Sequence, residues 1–353
     1  NNKGGASASR VQCLKGSLSC SSFNLQTMDA SEFCFPEAFN SSCKKKVSLH
    51  SVNTLIYFGL SFMSLVTTAL NLLVIISISH FRKLHTPTNF LLLSLAVSDF
   101  LVGLFMFFQI MVINGCWVLG DVLCVLYYVF SGVLTSASVG TMVLISLDRY
   151  LAICDPLRYS TKVTTKRVQI CVSLCWICSV VYILVLLRDN FQQPGKFNSC
   201  SGECVVEIGF VENVADLILT FIISITVLVV LYVRVFVVAL SQVQAMRSHI
   251  VAVKQKHPSK TNVKKSELKA AGILGVVVVA FVFCICPYYC VTLIGKSSLL
   301  NTSTMTFLLC LFYFNSCLNP LIYAFFYPWF RKAMRIIFTL EVLRSGSSGA
   351  NIL

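Results

Sequence analysis

The sequence predicts an all-α membrane protein: a seven-transmembrane helix bundle with a short amphipathic eighth helix. Composition is the first observation: 56% of residues are hydrophobic and 12% charged, which excludes an ordinary soluble domain. The second is segmentation. Seven stretches, near 51–79, 88–114, 121–154, 167–187, 211–243, 264–295 and 302–327, each contain an apolar run of the roughly 20 residues that a helix needs to cross a bilayer. The third is where the charge sits. The net +14 comes from 28 Lys and Arg against 14 Asp and Glu, and the basic residues gather between apolar runs, which signals membrane topology and not a nucleic-acid surface.

Residues 1–50 read as an extracellular N-terminal segment. Residues 1–27 are polar and Ser-rich, with no apolar run of signal-peptide length before residue 54, so Met28 reads as the natural start and the residues before it as an upstream extension. Asn40-Ser41-Ser42 and Asn301-Thr302-Ser303 fit the N-glycosylation pattern on the outer side. The transmembrane domain, 51–327, has one set of loops rich in basic residues: Arg82 and Lys83; Arg158, Lys162, Lys166 and Arg167; the run from Arg247 to Lys269; then Arg331, Lys332 and Arg335. The opposite set is poorer, with no lysine or arginine between Asn114 and Asp121. By the positive-inside rule the N-terminus is outside and the C-terminus cytoplasmic, as in a multi-pass protein of the plasma membrane. Lys44, Lys45 and Lys46 run against the bias, and the later loops outvote them.

The 17 cysteines sort by compartment. Those within apolar runs (Cys171, Cys175, Cys178, Cys284, Cys286, Cys290, Cys310 and Cys317) read as small core residues. Cys34, Cys43, Cys116, Cys124, Cys200 and Cys204 fall on the oxidising outer side, where disulfides form; spacing leaves their pairing open.

The third stretch organises the others. From Cys124 to Arg149 it covers roughly 37 Å as a helix, enough to cross a hydrocarbon core of about 30 Å. Ser131, Thr135, Ser136 and Ser138 among its apolar residues suit a helix buried between others, and Asp148-Arg149-Tyr150 ends it with charge. A carboxylate inside an apolar segment is costly and needs a partner or a task. Asp99 and Asp216 stand in that position, with Asp148 at the inner edge; Glu212 precedes Asp216 by four residues and shares its helical face. Residues 328–353 read as helix eight and a short cytoplasmic tail, with Trp329 and Phe330 facing lipid and no cysteine beyond for lipid attachment. Asp99 and Asp216 form no protease motif, and internal repeats of the transporter kind are lacking, so neither an enzyme nor a carrier is expected.

In this order, Asn71, Ser94-Leu95-Ala96-Val97-Ser98-Asp99, Asp148-Arg149-Tyr150, Trp176, Tyr232, Pro287 and Asn319-Pro320-Leu321-Ile322-Tyr323 supply at least one landmark per predicted helix. The chain thereby resembles a rhodopsin-like (class A) G-protein-coupled receptor over about residues 50–338. The stretch from Asn315 to Ala333, and Cys200-Ser201-Gly202-Glu203-Cys204, resemble the trace amine-associated receptors. The resemblance implies disulfides Cys124–Cys204 and Cys43–Cys200, and a sodium-linked network of Asp99, Ser138, Asn315 and Asn319. No other cofactor is expected.

The resemblance also speaks to ligand and output. Ser131 stands where most amine receptors carry a helix-three aspartate, and Asp216, in the outer half of helix five, matches the pattern of a divergent fish-like olfactory group. A carboxylate there meets a ligand ammonium with roughly 4 kcal/mol at about 4 Å before desolvation. Ser131, Thr135 and Glu212 join it as candidate contacts, the two acids suiting a diamine. Tyr288, Tyr289 and Tyr313 give aromatic walls, joined by Tyr127 and Tyr128. The switch is Asp148-Arg149-Tyr150, with Arg149 latched to Glu267 at rest and Tyr232 and Tyr323 stabilising the open form. Ile285 replaces the usual tryptophan before Pro287, which moves coupling onto Phe281. Pro156-Leu157 docks a heterotrimeric stimulatory (olfactory) G protein, raising cyclic AMP. The basic loops suit membrane lipid. The alternative is an orphan or constitutively active receptor that does not respond to amines.

Overall fold

A computed structural model describes residues 33–35, 41–44, 50–252, 259–294, 302–344, 346–350 and 352. Seven long helices follow one another: α1 (His50–His80), α2 (Pro87–Asn114), α3 (Asp121–Cys154), α4 (Thr165–Leu186), α5, α6 (Ser259–Ile294) and α7 (Thr302–Phe326). The fifth is composite, running Phe210–Asp216, a π-helical Leu217–Ile223 and Ser224–Ala252. Six of the seven are long and apolar enough to span a membrane, and α6 contributes the shorter apolar piece Gly275–Val291. The described residues form no β-strand, only the isolated β-bridges Phe33 with Lys44 and Ser42 with Ser201.

Local chemistry sets the helix ends. Thr86 caps α2 by accepting from the Asn89 N–H, and Pro87 occupies the first turn, where its missing N–H costs nothing. Gly115, at φ 68°, ends the same helix in the left-handed conformation that a residue without Cβ adopts freely. Thr164 caps α4 in the same way, accepting from the Arg167 N–H.

In a bilayer, helices associate through close packing and hydrogen bonds more than through hydrophobic burial. Helices α1 and α2 meet at Gly103, where an added Cβ would lie 2.9 Å from the Thr68 backbone nitrogen; Ser64 Oγ donates to the Gly103 carbonyl at 2.6 Å. Asn71 Nδ2 reaches from α1 to the Ser316 carbonyl of α7 at 3.0 Å. Trp176 Nε1 of α4 donates to Ser94 Oγ of α2 at 3.0 Å, and Ser94 bonds in turn with Thr141 of α3. Helices α2, α3 and α7 are the more enclosed members of the bundle, while α1, α4 and α5 turn Leu, Ile, Val and Phe outward.

An eighth helix, α8 (Pro328–Phe338), leaves the inner end of α7. Here the structure corrects the sequence reading. Trp329 and Phe330 do not face lipid: both are buried, Phe330 completely, in the central apolar core with Phe81, Leu84 and Tyr323. The apolar face of α8 seals the inner end of the bundle, where loss of water contact drives burial as lipid contact cannot. Ile352 is buried in that same core, and His80 Nε2 bonds with Ser347 Oγ at 2.9 Å, so the tail returns to the foot of α1.

Candidate ligand site and switch

Three disulfides gather the outer chain over the bundle: Cys124–Cys204, Cys43–Cys200 and Cys34–Cys116. The first two are the pairs the resemblance implies; the third joins the two cysteines that the resemblance left unassigned. Their Cα–Cα separations of 5.1–5.6 Å suit a bridge. Backbone bonds knit the same segments: Trp117 N to Gly202 O at 2.7 Å, Cys43 N to Ser201 O at 2.9 Å and Ser201 N to Ser41 O at 2.7 Å. Gly202, at φ 102°, gives the turn that lets the segment pass Cys34.

Beneath this lid lies Asp216. Its Oδ1 accepts from Tyr182 Oη at 2.7 Å and from Thr220 Oγ1 at 2.9 Å, and no basic side chain pairs with it among the described residues. It is half-buried and lies within electrostatic reach of Tyr288 and Tyr289. Glu212, one turn outward, turns to Arg188 instead, its Oε1 3.8 Å from the guanidinium, with Arg188 largely exposed and Glu212 partly so. That departs from the expectation of two acids holding a diamine, because Arg188, just beyond α4, supplies a partner at the rim.

From Asp216 an aromatic arc crosses the bundle. Phe221 stacks on Tyr289 at 4.6 Å between centroids, Tyr289 meets Tyr288 at 5.6 Å, Tyr288 meets Phe312 at 5.4 Å, and Phe312 meets Tyr313 at 5.8 Å. At the far end Tyr313 Oη donates to Gln109 Oε1 at 3.1 Å, and Tyr127 Oη donates to the same oxygen. Ser131 lies beside the Tyr313 hydroxyl, with Thr135 one turn inward, both half-buried. Tyr128 Oη donates to the Cys204 carbonyl at 3.4 Å, tying this end to the lid. Thus the structure brings together Ser131, Tyr288, Tyr289, Tyr313 and Asp216 around one interior. Sequence reasoning missed Tyr182, Thr220 and Gln109; the i, i+4 spacing of Thr220 from Asp216 was the one available signal.

Deeper, Asn319 Nδ2 donates to Asp99 Oδ2 at 2.8 Å, and Ser138 Oγ donates to Ser98 Oγ at 2.8 Å. Asp99 Oδ1 and Asn315 Oδ1 are sealed from solvent without a hydrogen-bond partner. Two orphaned oxygens, one of them on a carboxylate, fit a hard monovalent cation, which takes oxygen ligands.

At the inner end Arg149 donates to Asp148 Oδ2 and to Thr88 Oγ1; Asp148 also accepts from Tyr159 Oη at 2.8 Å and from Thr88 Oγ1 at 2.9 Å. Thr88 and Tyr159 are further residues that the sequence did not point to. The Glu267 side chain lies outside those described, as do Met28, Asn40 and Asn301. Tyr232 Oη and Tyr323 Oη are buried without partners among the described residues. Phe281 is completely buried with Ile285 beside it in the core, and Tyr150 is half-buried against Ile153 and Val235. Pro156 opens a short helix, Pro156–Lys162, which exposes 92% of Leu157 to solvent. Lys162 Nζ, 2.9 Å from Asp155 Oδ2, holds that carboxyl below its usual range at the start of this helix.

The family model described as "7 transmembrane receptor (rhodopsin family)" matches residues 70–323. The chain is 37% identical to trace amine-associated receptor 13c of Danio rerio, over 93% of this chain and 98% of that one. It is 37% identical to trace amine-associated receptor 8a of Rattus norvegicus over 90% and 95%, and 34% identical to 7a of that species over 96% and 97%.

Proposed function

Because the chain belongs to the rhodopsin family of seven-transmembrane receptors, and within it to the trace amine-associated receptors, we propose that it is an olfactory receptor for amines that holds the ligand ammonium on Asp216. The membership itself makes it a multi-pass membrane receptor for small molecules that signals through heterotrimeric G proteins, and not an enzyme. The finer reading is that it sits in the plasma membrane with its N-terminus outside, couples to a stimulatory G protein through the loop at Pro156 and Leu157, and raises cyclic AMP.

One observation carries this. Asp216 is a half-buried carboxylate whose two hydrogen bonds both fall on Oδ1, beside two tyrosine rings and with no cation of its own among the described residues. Such a group favours a cation arriving from outside, and Ser131 leaves helix three without a competing charge. The two hydroxyls orient the carboxylate before the ligand comes, which lowers the entropy cost of binding.

The test is cyclic-AMP accumulation in cells displaying the full chain, challenged with mono-, di- and polyamines. Asp216→Ala is expected to lose the response at least a hundredfold in potency, and Ser131→Ala to keep it. Equal potency on wild type and Asp216→Ala removes the site. Silence of a surface-displayed wild type towards every amine favours the receptor that does not respond to amines, a reading that the hydroxyl partners of Asp216 support, since they satisfy one carboxylate oxygen without any ligand.

A further inference from the structure

The far end of the aromatic arc is polar but uncharged, and its hydrogen bonds have a direction. Gln109, Tyr127 and Tyr313 are all buried, yet they come from three different helices and meet at one amide oxygen. Both tyrosine hydroxyls donate to that oxygen, and buried hydroxyls need an acceptor. Gln109 Oε1 thus faces the tyrosines. The consequence is on the other side of the amide. The two N–H groups on Nε2 have no acceptor among the described residues, and Nε2 is absent from the polar atoms sealed away from solvent. A donor pair is thereby left without an acceptor at the end of the aromatic arc away from Asp216.

We infer that the ligand is a monoamine whose other end carries a neutral hydrogen-bond acceptor, a hydroxyl, ether or carbonyl, received by the Gln109 Nε2 donors while Asp216 holds the ammonium. The inference rests on the Asp216 reading and adds the second anchor. A second ammonium is a poor fit there: it brings only donors to a donor, and no described carboxylate attends the cluster of Gln109, Tyr127, Tyr313 and Ser131. A free carboxylate fits poorly as well, since no described lysine or arginine is paired into the cluster. The apolar middle of the ligand runs along Tyr288 and Phe312, which join the two ends.

The experiment uses the full chain, purified, and reads ligand-dependent thermal stabilisation, so that it does not depend on which G protein couples. The probes are butyl-, hexyl- and octylamine, with the amino alcohol and the diamine of each chain length. On wild type the best amino alcohol is expected to bind about tenfold more tightly than its alkylamine, the worth of one good hydrogen bond, and to outrank the diamine. Gln109→Met removes the donors, and the amino alcohol falls to the level of the alkylamine. Gln109→Glu keeps an acceptor for both tyrosines, so the fold is retained, and replaces the donors by a carboxylate; the diamine then overtakes the amino alcohol. If wild type ranks the diamine first, or both Gln109 variants keep the wild-type order, the inference is overturned. Asp216→Ala separates the two claims. Loss of all probes in that variant with an unchanged order in the Gln109 variants sinks only the second anchor, whereas full binding to Asp216→Ala sinks the reading beneath it.

Discussion

Asp99 and Asp216 are both carboxylates inside the membrane, and their partners separate their tasks. Asp216 has two hydroxyls on one oxygen and stands half-buried beneath the lid, whereas Asp99 is fully buried, bonded through Oδ2 to Asn319 and orphaned at Oδ1. An orphaned, desolvated carboxylate oxygen costs a few kcal/mol unless a proton or cation meets it. Sodium at Asp99, with Asn315 as a second oxygen ligand, would remove that cost. Replacing choline by sodium at constant ionic strength is therefore expected to raise the unfolding temperature of the purified receptor, and Asp99→Asn to abolish the difference. An identical sodium increment in Asp99→Asn would dismiss the ion. Both carboxylates were legible from the sequence, because charge in an apolar run stands out. Tyr182 and Gln109 were not: each is an ordinary membrane-helix residue until folding carries it 34 or 18 positions along the chain to its partner.

Among the elements, α8 shows best how far patterning reaches. Alternation of Trp, Phe, Ala, Met and Ile with Arg and Lys announces an amphipathic helix, and the structure has one over Pro328–Phe338. What the pattern does not say is what its apolar face meets, since lipid and a protein core look alike to a sequence. The structure answers through burial: Phe330 is wholly enclosed, while Phe338 at the end of the helix is 70% exposed. Truncating the first leaves a cavity and truncating the second leaves none. Phe330→Ala is accordingly expected to destabilise the receptor by about 3 kcal/mol or more, and Phe338→Ala by well under 1 kcal/mol. Thermal unfolding in detergent checks this; similar shifts for the two would return Phe330 to the lipid face. The π-helical turn after Asp216 escaped the sequence for another reason, as no residue type marks it, yet it shifts the register of α5 just below Asp216.

For the whole molecule, the seven spans and their order followed from apolar length and loop charge, because a bilayer leaves helices few other solutions. The state of the bundle did not follow, since it depends on contacts between distant inner ends. In this structure Arg149 is engaged by Asp148 and Thr88, and Tyr159 of the following short helix completes the cluster. The hydroxyls of Tyr232 and Tyr323 are meanwhile buried and unmet among the described residues. A buried unmet hydroxyl destabilises the state that contains it, so deleting it is neutral or stabilising there. Should Arg149 leave Asp148 when α6 moves outward, those hydroxyls gain a partner, and the open state alone loses when they are removed. Tyr232→Phe and Tyr323→Phe are thus expected to leave the ligand-free unfolding temperature unchanged or slightly raised, and to lower the maximal agonist-driven cyclic-AMP response several-fold at equal surface display. The two readouts must part in this way, because an equilibrium shifts only by the difference in stabilisation between its states. A fall in ligand-free stability equal to the fall in signalling would mean that the hydroxyls support the resting bundle and have no part in opening it.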